Sequence, residues 1–232
     1  LTTDMKKYLS EKFMMLKNNP KTIAYWFYKF CNIIKHNALN NGERYDPNIL
    51  GKFCINDYHQ EARYHWAQKL VSRNDTVIDI ACGTGYGTLL LADSCRSVVG
   101  ADISSEAIQY ANKHYKIRDN IDFVKSDIVD FQGTADIVVS FETIEHINWA
   151  VADCVNKLLS LAGKKLLCSV PYRESAGRNK HHVHFDLDER HFDYLKKDFQ
   201  VNYLYQSRDG TMHERPRGET LNLLIIVDKI SE

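Results

Sequence analysis

Glu142, Glu145 and His146 stand at i, i+3 and i+4 in the run Glu142-Thr143-Ile144-Glu145-His146, and a second cluster follows at His181-His182-Val183-His184-Phe185. If the first run turns helically, its three side chains share a face; if the second is extended, His182 and His184 share one. Carboxylate and imidazole ligands of this kind suit Mg²⁺, Mn²⁺ or another hard-to-borderline cation. The same imidazoles can instead take a proton from a hydroxyl, because they titrate near neutral pH. His146, His182, His184 and Glu145 are therefore the candidate catalytic residues. Glu142, Glu145, His146 and one of His182 or His184 are the candidate metal ligands. The competing reading is structural, with these Glu and His side chains capping helices or shaping a pocket.

A second constellation lies upstream. Val77-Ile78-Asp79-Ile80-Ala81-Cys82-Gly83-Thr84-Gly85-Tyr86-Gly87 reads as a buried strand, a glycine turn and a helix start. Glycines let such a turn bring its backbone close to a ligand, and the helix start offers free N–H groups. Dinucleotide sites use a similar turn, so the turn alone is ambiguous. Asp79 narrows the choice, because a carboxylate inside the strand favours an amino group and repels a pyrophosphate. Asp102 ends the next strand, where an acid can accept both hydroxyls of a ribose. Ser126-Asp127-Ile128 follows the third strand and suits an adenine ring, with Asp127 on the exocyclic amine and the Ile128 backbone on a ring nitrogen.

On these residues the chain resembles class I S-adenosylmethionine-dependent methyltransferases over about residues 55 to 229. The family's glycine motif falls on Asp79, Gly83, Gly85 and Gly87, its ribose acid on Asp102, its adenine acid on Asp127 and its motif after the fourth strand on Ser140-Phe141-Glu142. Ala81 departs from the glycine that many members carry there, which narrows the loop without abolishing the turn. Gly42-Glu43-Arg44-Tyr45 and Glu61-Ala62-Arg63-Tyr64 resemble the lead-in segment of methyltransferases encoded with glycan-building enzymes. An arginine or tyrosine there closes over the methionine carboxylate in related enzymes. The resemblance thus implies S-adenosyl-L-methionine as cofactor, held by Tyr58, Arg63, Tyr64, Asp79, Ala81, Cys82, Gly83, Gly85, Asp102, Ile103, Asp127, Ile128, Phe141 and Glu142.

The Glu-x-x-Glu-His run and the later histidine also resemble ubiquinone-pathway O-methyltransferases and small-RNA 2′-hydroxyl methyltransferases, which hold a divalent metal there. The expected activity is O-methylation of a carbohydrate or glycan precursor, with Mg²⁺ or Mn²⁺ assisting. A quinol-like small molecule and an RNA terminal ribose are the alternative acceptors. A catalytically silent S-adenosylmethionine-binding scaffold subunit is the alternative of another class. A neighbouring glycosyltransferase domain is the partner this resemblance suggests.

These residues need elements to position them. Short β-rich runs at Thr76 to Ala81, Ser97 to Ile103, Ile121 to Lys125, Ala135 to Phe141 and Lys164 to Val170 alternate with stretches long enough for crossover helices. Val201 to Tyr205 and Leu221 to Val227 should pair as an antiparallel hairpin across a polar loop. The expected fold is α/β and Rossmann-like: a doubly wound, mostly parallel seven-stranded sheet with an antiparallel C-terminal hairpin. A helix is expected from about Asp57 to Leu70. Amphipathic runs at Met5 to Leu16 and Ile23 to Ile34 predict an N-terminal helical extension over residues 1–54, before a methyltransferase domain over 55–232.

Lys+Arg and Asp+Glu both total 30, so overall charge demands neither nucleic acid nor an anionic membrane, and nucleic acid is the less favoured partner. The lysines before residue 41 outnumber the acids there and read as a solvated helical face. Six cysteines without a CxxC pair suggest a reducing, cytoplasmic setting. The longest aliphatic run, Leu223 to Val227, is far below the roughly 20 residues that span a bilayer, and no secretory signal is visible. A first residue of Leu suggests a piece of a longer protein. Oligomeric state is not encoded legibly.

Overall fold

The computed structural model describes residues 46, 47 and 58–229. The chain divides into two compact units, Leu1–Phe53 and Cys54–Glu232. The expected helical extension over 1–54 lies, except for residues 46 and 47, outside the described residues.

The second unit opens with α1 (Tyr58–Gln68) and continues as β1 (Thr76–Ile80), α2 (Tyr86–Ala92), β2 (Ser97–Asp102), α3 (Ser105–His114), β3 (Ile121–Lys125) and β4 (Ala135–Phe141). After a 3₁₀ turn at Ile144–His146 come α4 (Val151–Leu161), β5 (Ala162–Pro171), two 3₁₀ turns at Glu189–His191 and Asp193–Lys197, β6 (Gln200–Ser207), β7 (Met212–His213) and β8 (Thr220–Asp228). One sheet runs in the order β3-β2-β1-β4-β5-β8-β6-β7. Neighbours from β3 to β5 are parallel, and β8 enters antiparallel between β5 and β6.

The strands β1, β4 and β8 are almost wholly buried, as strands covered on both faces must be. Cys154, Val155, Leu158 and Leu159 recur at helical spacing, so α4 turns one apolar stripe onto β4 and β5, and all four are buried. Ser104 caps α3 by accepting from the Ala107 N–H at 3.2 Å, and Ala107, Ile108 and Ala111 supply its inner face. Parallel order with reversal at β1/β4 leaves the strand carboxyl ends as a crevice, and the sites lie there.

Two details differ from the sequence reading. The sheet has eight strands, because the segment after β6 turns at Asp209-Gly210, with Gly210 at φ 85°, and lays Met212–His213 back along Tyr205 and Gln206. Two residues are too short for a periodic signal. The link between β3 and β4 carries no helix; its residues 126–134 form a turn closed by the Phe131 N–H donating to the Asp127 carbonyl at 3.0 Å. Among the described residues no helix is long and apolar enough to cross a membrane.

Candidate active site

The glycine turn joins β1 to α2. Ala81, Gly83 and Gly85 all take left-handed backbone angles, φ 61°, 57° and 89°. At Gly85 a Cβ would also lie 2.7 Å from the Ala111 Cβ and from the Phe123 ring, so both conformation and packing demand glycine. At Gly87 a Cβ would lie 2.0 Å from Tyr64 Cζ, which shows that α1 seats its tyrosine directly on the start of α2. The phenol of Tyr64 donates to Asp79 Oδ1 at 3.3 Å, and Thr88 Oγ1 donates to Asp79 Oδ2 at 2.6 Å. Asp79 is fully buried, and that burial pushes its carboxyl up to about 7 despite the two hydroxyl donors.

Asp102 ties the turn to the end of β2. Its Oδ2 accepts from the Gly83 N–H at 2.9 Å and its Oδ1 from the Ser104 N–H at 2.8 Å. The neighbouring Ile103 side chain is 60% exposed, an apolar surface left open beside an otherwise buried acid. Ser126 N–H donates to the Asp102 carbonyl at 3.0 Å, which brings the segment after β3 alongside. There Asp127 Oδ1 accepts from the Val129 N–H at 3.1 Å while Ile128 is buried. Cys82 is buried within the turn, its N–H donating to the Ala101 carbonyl at 3.0 Å. These residues form one rim along the ends of β1, β2 and β3.

Arg63, Phe141 and Glu142 lie toward the other side. Arg63 is 2% exposed and donates to Gln206 Oε1 at 3.2 Å and Asn222 Oδ1 at 3.1 Å, with Gln60 as a further partner. Its guanidinium also sits 6.0 Å from the Phe141 ring centroid. The structure thus commits Arg63 to holding α1 against β6 and β8. Tyr58 opens α1, and its side chain lies outside the described set.

The expected helical face through Glu142, Glu145 and His146 is not formed. Glu142 takes φ 52°, so the chain leaves β4 in a left-handed step before the 3₁₀ turn begins. Its carboxylate accepts from Ser169 Oγ at 2.7 Å and from Asn222 Nδ2 at 2.5 Å. His184 is likewise drawn away, its Nε2 donating to the Trp149 carbonyl at 2.7 Å and the Ile147 carbonyl at 3.0 Å. Glu145, His146 and His182 are the residues brought together, with one ligand atom from each within 4.8 Å of the others.

Backbone bonds make that meeting possible. The N–H groups of Val183 and His184 both donate to the Glu145 carbonyl, at 2.8 and 3.2 Å, so the loop after β5 is fastened to the turn after β4. His146 Nδ1 faces the His181 carbonyl at 3.3 Å, which makes Nδ1 the protonated nitrogen and leaves Nε2 turned to Glu145 Oε1 at 3.8 Å. The His146 and His182 rings meet edge to face, centroids 4.6 Å apart. Both oxygens of the fully buried Glu145 carboxylate lack a hydrogen-bond partner among the described residues. Burial, and then the nearby Glu142 charge, push this carboxyl well above the ordinary range.

Sequence reasoning missed Thr88, Ser169, Gln206, Asn222, Glu174 and Asn179. A polar residue inside an apolar strand was a usable signal for Ser169 and Asn222, since such residues stay buried only with partners. Glu174 and Asn179 sit in a loop whose composition gives no such cue.

Residues 77–163 match the family described as a methyltransferase domain. A protein of Mycolicibacterium smegmatis described as a probable S-adenosylmethionine-dependent methyltransferase is 27% identical over 137 residues, covering 57% of this chain and 51% of that protein. The chain spans about half the length of the curated relatives it matches first. Among solved structures, the magnesium protoporphyrin IX methyltransferase of Synechocystis PCC 6803 with bound S-adenosylhomocysteine superposes with a TM-score of 0.61 at 14% identity, covering 90% of this chain and 100% of that one. The small RNA methyltransferase HEN1 gives 0.62 at 21% identity, over 75% of this chain and 25% of that one. Residues 77–163 thus match a methyltransferase domain, and the sheet order around them is shared with solved S-adenosylmethionine-dependent methyltransferases, the proteins this chain is similar to.

Proposed function

We propose that this chain is an O-methyltransferase acting on a hydroxyl of a carbohydrate or glycan precursor. The observation that carries the oxygen acceptor is the buried Glu145 carboxylate, without a hydrogen-bond partner among the described residues, beside His146 and His182 at the end of β4. An acid so placed needs a cation or a donor to complete it. The glycan class rests on the likeness of Gly42–Tyr45 and Glu61–Tyr64 to glycan-associated methyltransferases. A terminal ribose is the second reading, favoured by the superposition on a small RNA methyltransferase. A neighbouring glycosyltransferase and a cytoplasmic setting complete the reading; the latter agrees with the buried thiols of Cys95, Cys154 and Cys168.

Asp102 would accept from the ribose hydroxyls of S-adenosylmethionine, Ile103 would lie on the adenine, Asp127 would take its amino group, and Asp79 would face the ammonium of the methionine part. The cofactor supplies an activated methyl group on a sulfonium. Glu145, His146 and His182 would hold Mg²⁺ or Mn²⁺; the carboxylate and imidazole donors fit such a cation, and His146 already has its Nδ1 turned to a carbonyl, as metal-ligating histidines do. A bound cation lowers the pKa of a hydroxyl. The remaining work of the chain is alignment: Phe141 and Tyr64 wall the crevice between the two halves, with rings 5.2 Å apart, and with no cation bound His146 or His182 would take the proton of the acceptor hydroxyl instead.

The test is methyl transfer to a panel of sugar nucleotides, oligosaccharides, a quinol and an RNA with a free terminal ribose, with and without chelator. Turnover of a saccharide, lost in chelator and restored by Mg²⁺ or Mn²⁺, is the expected result. Turnover of RNA alone transfers the assignment to the second reading. Undiminished activity in chelator removes the metal and leaves a histidine base.

A further inference from the structure

Glu174 and Asn179 both bond the His182 ring in the loop after β5. Glu174 Oε2 meets His182 Nδ1 in a short contact, and Asn179 Nδ2 lies 2.9 Å from His182 Nε2. Both members of the Glu174–His182 pair are largely withdrawn from solvent, at 13% and 7% exposure. Ring nitrogens of histidine are ambiguous until a neighbour of fixed polarity decides them. Here a backbone group decides. The His181 N–H donates to Asn179 Oδ1 at 3.0 Å, so Oδ1 is the amide's acceptor end and Nδ2 its donor end. His182 Nε2 must then accept from Asn179, and Nδ1 must carry the proton that Glu174 accepts.

We propose that Glu174 is a positioning residue, holding His182 in the Nδ1-protonated tautomer so that Nε2 keeps its lone pair, with Asn179 occupying that lone pair until a ligand takes it. The inference rests on the proposed oxygen-acceptor site only for what the ligand is. It does not rest on it for the tautomer. A carboxylate behind an imidazole fixes the ring's orientation and makes the opposite nitrogen a better donor to a cation or a hydroxyl proton. Glu174 is itself anchored, since the Asp186 N–H donates to its backbone carbonyl at 2.9 Å and so fixes the two ends of the loop together. The loop thus approaches Glu145 through the amides of Val183 and His184, and orients His182 through Glu174.

The same arrangement explains why His182 and not His184 joins Glu145 and His146. Alternation in an extended segment puts both imidazoles on one face, yet His184 spends its Nε2 on two backbone carbonyls. Those bonds hold the His184 ring against the Ile147–Trp149 segment. His182 is the one whose ring nitrogen comes within reach of Glu145 and His146.

Three variants of the full chain, Glu174→Ala, Glu174→Gln and Glu174→Asp, test the proposal without needing the acceptor. With ¹⁵N-labelled histidine, the His182 ring signals are identified by their loss in His182→Gln. The wild type should show a protonated Nδ1 and a bare Nε2. Glu174→Ala should mix the tautomers, and Glu174→Asp should keep the wild-type pattern. Mn²⁺ affinity by calorimetry should fall about 10- to 100-fold in Glu174→Ala, the usual loss when such a supporting partner goes, and recover in Glu174→Asp. A His182 spectrum unchanged by Glu174→Ala overturns the proposal, as does a wild-type ring protonated at Nε2. Wild-type protein that binds no Mn²⁺ overturns the metal reading instead, and the ring spectrum still decides Glu174. If Glu174→Ala fails to fold, Glu174→Gln, which keeps shape but adds a donor, supplies the comparison.

Discussion

The two halves of the crevice are built differently. Along β1, β2 and β3, geometry is set by backbone: three left-handed steps at Ala81, Gly83 and Gly85, and Asp102 held by two main-chain N–H groups. Beyond β4 and β5, two main-chain amides fasten the loop to Glu145, and side chains bonding one another set the rest: Glu142 with Ser169 and Asn222, His182 with Glu174 and Asn179. A backbone-built site tolerates change in most side chains and little change in its glycines. A side-chain-built site changes its chemistry with single residues. The first suits a cofactor that never varies and the second an acceptor that does.

The sharpest way to break this comparison is His146→Ala. If the acceptor half carries the chemistry, methyl transfer should fall by about 10²- to 10⁴-fold, the range for loss of a positioned acid–base group. Affinity for S-adenosylmethionine, measured by calorimetry, should stay nearly unchanged. Parallel losses in both would mean that the two halves are one energetic unit.

Asp102→Ala is the reciprocal change. Charge-assisted bonds in a partly buried site contribute about 1.5 to 3 kcal/mol, or about 10- to 150-fold in affinity. Cofactor affinity should fall in that range, and the turnover of saturated enzyme should fall far less. Since Asp102 also accepts from Gly83 and Ser104, Asp102→Asn separates lost charge from a loosened turn. Unchanged affinity in both variants would place the ribose elsewhere.

How legible each half was follows from how it is built. The glycine turn, Asp79, Asp102 and the strands that carry them were readable, because local spacing alone specifies a strand, a left-handed turn and a helix start. The nearness of Glu145 and His146 to a later histidine was readable, but their helical phase with Glu142 was not, since φ 52° at Glu142 has no signature in a residue that is not glycine. Nor could spacing choose between His182 and His184. That choice is made by the carbonyls of Ile147 and Trp149, which reach His184 only once the chain is folded. Arg63 illustrates the same limit: its partners Gln206 and Asn222 are separated from it by 143 and 159 residues.

A smaller effect comes from pH in the half along β1, β2 and β3. Asp79 holds its proton up to about pH 7 in the folded domain, whereas an unfolded aspartate releases it near 4. Between those values the folded state binds more protons, so Asp79's contribution to stability falls as pH rises and is lost above about 7. Glu145, also raised, acts in the same sense, so the variant Asp79→Asn is needed to isolate one group. Urea melts at pH 5 and pH 8 should show the wild type losing stability relative to Asp79→Asn on going to the higher pH. Wild-type affinity for S-adenosylmethionine should rise over the same interval, because its ammonium favours the carboxylate. A parallel pH dependence in the variant would assign the proton to another site.

The smallest effect discriminates best between the two kinds of construction. Ala81 and Glu142 are both non-glycine residues in the left-handed region, at φ 61° and 52°, one at the end of β1 and the other at the end of β4. For either, the conformation costs about 1 to 2 kcal/mol relative to glycine, and glycine returns about 0.5 to 1 kcal/mol of that through its freer unfolded chain. The Ala81 side chain is exposed and the positions around it are fixed by main-chain bonds, so Ala81→Gly should stabilise the domain by about 0.5 kcal/mol. That is a rise of about 1 to 2 °C in melting temperature for a domain of this size, with cofactor affinity unchanged. At Glu142 the same relief is outweighed, because removing the carboxylate leaves Ser169 and Asn222 without their acceptor, at about 1 to 3 kcal/mol for each buried polar group left unsatisfied. Glu142→Gly should therefore melt several degrees lower. Melting curves of the two variants with opposite signs would confirm that one backbone step serves a site made of main chain and the other a site made of side chains; equal signs would dissolve the distinction.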